Sequence, residues 1–281
     1  MKTLEITIRP ITDKSYDLFR QFVFRSRFYG PLIGAPREKI VKFAAKIDIS
    51  EEQAVSIHHL LVKEKIMTSI RRINANISKI SREYRSVDIL ALSYKYDHPP
   101  LNLLRSIFIN NGYDEGEIYD AFAGREAPSE RFRGRDLHQF VLAAANDADT
   151  IINQQAAGRR ADVNEQVFVN YFRDMGCNIK TQNDLTSEQM VKHGRAVITP
   201  DILFVEPITI NGKEINWIDF KDYVGTPISF MLRSNIKQYK KYNDHYGAGL
   251  VCYRLGFVES IKKSLNAIDC VNMKIPFLVE L

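Results

Sequence analysis

No apolar run in this chain is long enough to cross a membrane. The N-terminus, Met1-Lys2-Thr3-Leu4-Glu5-Ile6, alternates polar and apolar residues where a secretory leader would carry an apolar core. An intracellular protein is therefore expected, nuclear or cytoplasmic and not secreted, with no membrane partner. Cysteine is scarce: Cys177, Cys252 and Cys270 are an odd number and show no C-x-x-C pairing. This excludes a disulfide framework and a thiolate zinc site, and it suits a reducing compartment. Histidine offers no metal-ligand spacing either, since His58 and His59 are adjacent and neighbours on a helix point in different directions. Long runs of like charge are also missing: basic residues are scattered through both halves.

What is present is an ordinary globular balance. The 281 residues are 45% hydrophobic and 26% charged, enough chain for one large domain or two smaller ones. A net charge of +5 leans toward a polyanionic partner.

The first half reads as helical. Asp13 to Phe28 and Arg37 to Ile47 carry apolar residues at helical spacing, with a Gly30-Pro31 break between them. Ser50-Glu51-Glu52-Gln53 has the form of a capping box, opening a helix to about Lys65, and a further segment runs from Thr68 to Tyr84. Val87 to Tyr94, the turn Asp97-His98-Pro99-Pro100, and Leu101 to Asn110 resemble a helix-turn-helix, with Asn102 and Arg105 placed to touch nucleic acid. An ordinary helical bundle uses the same pattern. Asp114 to Phe122 forms one more helix. Residues 124–135 hold Gly, Pro, Ser and the arginines Arg125, Arg131, Arg133 and Arg135, and read as a linker whose Arg131 and Arg133 are also candidates for phosphate contact. The division expected is a helical region 1–123, a linker 124–135 and a second domain 136–281. A helix from Asp136 to Gln155 would open that domain, running into Gly158-Arg159-Arg160.

Beyond this point the pattern changes. Asn164 to Met175 is a helix, with strands at Cys177 to Thr181, Ile198 to Val205 and Ile215 to Phe220. Asn211-Gly212 is a hairpin signal, because both residues tolerate positive φ. A helix from Ser229 to His245 and a strand from Leu250 to Leu255 follow.

Asp201 opens the second of these strands, and Asp219 lies near the end of the third. Residues two apart on a strand share a face, so Asp219 and Lys221 look the same way, and the hairpin brings Asp201 toward them. Glu165 lies on the preceding helix. Oxygen ligands of this kind suit a hard divalent ion, Mg²⁺ or Mn²⁺, which lowers the pKa of a bound water and polarises a phosphoryl oxygen. Asp201, Asp219 and Glu165 are the candidate metal ligands, with Lys221 to orient the water or stabilise charge on the phosphate. A D-x-K tripeptide is common by chance, and an exposed ion pair is worth under ~1 kcal/mol. Acids at the ends of buried strands are costly, however, and that favours the functional reading.

Thr199-Pro200-Asp201, the strand Ile215 to Lys221, and Gln238-Tyr239-x-x-Tyr242 leading to Tyr246-Gly247-Ala248-Gly249-Leu250-Val251 together resemble the TPD-motif family. That family is a branch of the PD-(D/E)XK nucleases whose animal member is the codanin-interacting nuclease. The resemblance runs from about residue 146 to the C-terminus and includes Ala145-Asn146-Asp147 and Glu165, while Leu90 to Phe108 is similar to the family's helix-turn-helix region. One departure is Asp219, where the animal protein has Glu. The resemblance implies a fold that is α+β overall, with a helical N-terminal region and a C-terminal restriction-endonuclease-like α/β core. It also implies that Gln238 faces the active site.

The expected function is a divalent-metal-dependent nuclease hydrolysing phosphodiester bonds of structured or duplex DNA. The alternative is a nucleic-acid- or protein-binding scaffold on an inactive nuclease fold. Expected partners are nucleic acid, DNA before RNA, with a protein partner and a second copy of the chain as further candidates.

Overall fold

A computed structural model of the chain describes residues 2–148, 150–270, 273 and 275–278. The chain forms two compact units. A helical one comprises Leu18–Ile47 and Ala54–Gly158; the other, built on a sheet, comprises Met1–Asp17, Asp48–Gln53 and Arg159–Leu281.

In chain order the first helices are α1 (Asp13–Ser26), α2 (Gly34–Ala45), α3 (Glu51–Ala75), α4 (Ile77–Tyr84), α5 (Ile89–Tyr96), α6 (Pro100–Asn110), α7 (Glu115–Phe122), α8 (Pro128–Arg131) and α9 (Gly134–Ala145). Capping residues set several of these starts. Ser50 and Gln53 exchange the two bonds of a capping box at α3, Asp88 accepts from Ala91 N–H at α5, and Asp114 accepts from Gly116 and Glu117 N–H at α7. The third helix does not stop near Lys65 but runs to Ala75, because no glycine or proline interrupts it. Between α5 and α6, Asp97 takes a left-handed φ of 52° and Pro100 occupies the first helical turn. The buried face of α6 gives Leu103, Leu104, Ile107 and Phe108 to the core of this unit.

Residues 124–135 lie within the helical unit. They carry α8, and Phe132 is fully buried against Phe108, Phe122 and Phe140. Its glycines, serine and arginines signal a linker, yet one aromatic side chain anchors the segment. The helix expected over Asp136 to Gln155 is two helices. α9 ends at Ala145, and buried Asp147 accepts from Leu101 N–H at the start of α6; Asp149 lies outside the described residues. α10 (Ile151–Asp174) then runs unbroken through Gly158, Arg159 and Arg160. One glycine costs a helix only about 1 kcal/mol, too little to end it.

The remaining elements are β1 (Thr3–Leu4), β2 (Ile179–Thr181), α11 (Gln182–His193), β3 (Ile202–Ile210), β4 (Lys213–Lys221), α12 (Ser229–Tyr246), β5 (Gly249–Tyr253) and β6 (Ala267–Asp269). The sheet order is β1-β3-β4-β5-β6, with β2 also paired to β3. β2–β3 and β3–β4 are antiparallel; β1–β3, β4–β5 and β5–β6 are parallel. Among the described residues this is a mixed α+β protein with twelve α-helices. The β3–β4 turn is Asn211-Gly212 with φ of 49° and 74°, as the dipeptide suggests. Asn211 also exchanges two bonds with the backbone of Ile6, so the turn residue holds the N-terminal strand.

β4 is buried on both faces. On one, Ile218 and Phe220 pack in a cluster with Phe168, Val169 and Phe172 of α10; on the other, Trp217 packs with Tyr239 and Tyr242 of α12. Gly249 makes this second packing possible, since a Cβ there would lie 2.1 Å from Trp217. Sequence reasoning overlooked α11, β1 and β6. For α11 there was a signal: Thr181 accepts from Asp184 N–H while Asp184 accepts from Thr181 N–H, a capping box spelled T-x-x-D. No helix of the described residues is long and apolar enough to cross a membrane.

Candidate active site

Asp201 precedes β3 by one residue, and the pairing Ile202↔Ile218 puts it beside the end of β4. Its Oδ2 accepts from Phe220 N–H at 2.7 Å. Asp219, 1% exposed, lies with Lys221 on the face of β4 that α12 covers. Two donors converge on Asp219 Oδ2: Tyr239 Oη at 2.9 Å and Lys221 Nζ at 2.5 Å. The structure therefore brings together Asp201, Asp219 and Lys221 from the expected set.

The electrostatics of this group are crowded. Burial first, and then the neighbouring Asp219 charge, push the Asp201 carboxyl well above its usual range; Lys221 opposes this. Burial lowers the Lys221 ammonium, but Asp219 and Asp201 outweigh it and raise the group overall. Glu165, on α10, is half-buried. Its carboxyl is raised by burial, lowered by Lys221 and raised by Asp219, which places it within electrostatic range of the pair. It does not close a compact cage: among the described residues, no group of three or more His, Cys, Asp or Glu gathers as a metal cluster would. The reason is the layering, since α10 packs on the face of β4 opposite to the one bearing Asp219. Gln238 of α12 donates to Tyr242 Oη at 2.7 Å, and Tyr242 Oη donates to Thr199 O at 3.2 Å. The glutamine thus reaches the Thr199-Pro200-Asp201 segment through a tyrosine.

One neighbour of the site went unnoticed in the sequence. Asp222, immediately after Lys221, is 7% exposed and accepts from Arg160 Nε at 2.9 Å, from Asn164 Nδ2 at 3.1 Å and from Arg254 Nε. Arg160 and Asn164 are one turn apart on α10, and Glu165 follows them directly. This clamp ties α10 to the residue that follows β4. The adjacency of Asp222 to the D-x-K tripeptide was visible; its partners lie 62, 58 and 32 residues away and were not.

The four expected nucleic-acid contacts all belong to the helical unit. Asn102 and Arg105 line a cavity of about 210 Å³ with Tyr119, Phe122 and Gln154. Arg131 is occupied by Glu126 and Glu117, at 2.5 to 3.1 Å, and Arg133 Nη1 donates to Phe132 O at 3.0 Å.

Residues 135–274 match the family model described as a protein of unknown function with the TPD sequence motif. The motif stands literally at Thr199-Pro200-Asp201, where the site is built. Over 239 residues the chain is 42% identical to uncharacterized protein L539 of Acanthamoeba polyphaga mimivirus, covering 80% of this chain and 78% of that one. No solved structure matches. On the motif and on that relative, the chain belongs to the TPD sequence-motif family.

Proposed function

We propose that this chain is a divalent-metal-dependent nuclease with a restriction-endonuclease-like core, cutting phosphodiester bonds of duplex or structured DNA. The observation carrying this reading is the meeting of Asp201, Asp219 and Lys221 at the end of β4, two buried carboxylates sharing one lysine.

The donor set fits Mg²⁺ or Mn²⁺. It is all oxygen, its carboxylates repel each other, and such ions take one or two carboxylates and keep several waters. Asp201 and Asp219 would hold the ion, with Glu165 joining through water. When bound, it supplies Lewis-acid polarisation of the phosphoryl oxygen and a more acidic water. The chain's own groups do the rest. Lys221 stands beside Asp219 with charge to set against a phosphate oxygen, and Tyr239 holds the Asp219 carboxylate in orientation.

The test is incubation with labelled single-stranded, duplex, flap and four-way DNA in Mg²⁺, Mn²⁺ or EDTA. Metal-dependent cutting that Lys221→Ala and Asp219→Ala both lose is the expected result. A folded wild-type chain that cuts none of these would overturn it and favour the scaffold reading.

A further inference from the structure

Between α11 and α12 lies a groove of about 640 Å³, walled by Lys192, His193, Arg195, Ile198, His245 and Tyr246. Its wall is joined to the catalytic loop. Gln189 accepts from the N–H groups of Val197 and Ile198, and Tyr246 Oη donates to Ile198 O at 2.8 Å. Ile198 stands three residues before Asp201, a reach of at most about 10 Å along the chain.

The same groove meets a charged ridge. On α12, Arg233, Lys237, Lys241 and His245 are spaced four residues apart and all are exposed. Residues at i and i+4 lie one above the other, so these four form a row about 18 Å long that ends in the groove. The buried face of α12 carries Tyr239 and Tyr242 toward the site. Nearby acids are engaged: Lys180 holds Glu188 at 2.7 Å and Lys240 holds Asp244 at 2.9 Å. Arg233, Lys237, Lys241, Lys192 and Arg195 therefore present like charge to solvent in one continuous track.

We infer that this track, running along α12 into the α11 groove, binds the phosphodiester backbone of a nucleic-acid strand and feeds it toward Asp201. A row of this length matches about five phosphates at the axial spacing of one strand. The inference deepens the proposed nuclease reading and rests on it for the direction of feeding; the binding surface stands on charge and continuity alone.

The experiment is fluorescence anisotropy with labelled oligonucleotide, single-stranded and duplex, in EDTA over a salt series, so cutting is neither needed nor seen. The wild type is compared with the double variant Lys237→Ala/Lys241→Ala, with Lys192→Ala/Arg195→Ala, and with charge-reversed Lys237→Glu/Lys241→Glu. Lys213→Ala/Lys263→Ala, whose lysines line a separate cavity beside the Asn211-Gly212 hairpin, is the charge-matched control. Circular dichroism checks each fold. The expected result is a Kd at least tenfold weaker for each track variant, a further loss on reversal, and a log–log salt slope smaller by about 2. Affinity and slope unchanged, or lowered equally by the control pair, would overturn the track, as would wild-type binding to anionic phosphatidylserine vesicles but not to oligonucleotide. A wild type that binds through the track yet never cuts in Mg²⁺ overturns the nuclease reading and leaves the track standing.

Discussion

The inward-facing acids of the two units meet different surroundings. In the helical unit half-buried Asp136 and Asp97 and buried Asp147 are each held by donors. Asp136 accepts from Tyr84 Oη at 2.8 Å and Tyr113 Oη at 2.7 Å, and Asp147 accepts from Leu101 N–H. Burial works against ionising Asp97, yet Lys65, Tyr29 and Arg27 hold its carboxyl below the usual range. In the sheet unit Asp222 is matched by Arg160 and Arg254; Asp201 and Asp219 also accept hydrogen bonds, but each carboxylate feels the other's charge, with one lysine to offset the pair. Satisfied acids order a structure; acids left short of positive charge hold free energy in reserve for a ligand.

The sharpest test of this contrast is Asp201→Asn. The amide oxygen can still accept from Phe220 N–H, while the repulsion of Asp219 disappears. Cleavage is expected to fall by about 10⁴-fold or more, as for other members of a catalytic unit, while the melting temperature holds or rises. A melting temperature several degrees lower would show that Asp201 is a structural acid like Asp136.

Asp222→Ala should do the reverse. It leaves Arg160 and Arg254 without their shared carboxylate, and removing one partner of a buried pair costs about 3–5 kcal/mol. Urea unfolding reads this directly. A loss under about 1 kcal/mol would mean that the arginines find other partners and that the clamp does not hold α10 in place.

How far the sequence revealed this contrast depends on the range of each interaction. The hairpin at Asn211-Gly212 and the pairing of Asp219 with Lys221 on one face of β4 rest on neighbours in the chain, and backbone geometry alone specified them. Asp201 was reachable because that hairpin folds β3 onto β4. Phe132 was not: its glycine- and arginine-rich surroundings signalled a linker, and only packing with Phe108 and Phe140 reveals a core position. The Asp222 clamp was equally hidden, because no local pattern announces an arginine 32 residues away. Glu165 came from family resemblance and helix position, and its distance from a tight cage follows from α10 packing on the opposite face of the sheet.

The helical unit has its own exception to full satisfaction. His58 Nδ1 and His98 Nε2 are buried without a hydrogen-bond partner. Burial drives both rings down, His58 to about 3 with His59 adding to the effect, and His98 to about 4 with Arg72 and Lys65 adding to it. An unfolded histidine takes up its proton near pH 6.5, while these stay neutral in the fold. As pH falls below about 6.5, the unfolded state binds protons that the native state refuses, so stability declines until the folded values near 4 and 3 are reached. The slope is about 1.4 kcal/mol per pH unit for each ring. Denaturant unfolding from pH 7.5 to 5 measures it, and His58→Gln should remove one ring's share. A profile as steep in the variant as in the wild type would mean that His58 does not carry the loss and that its burial in the neutral form is not strained.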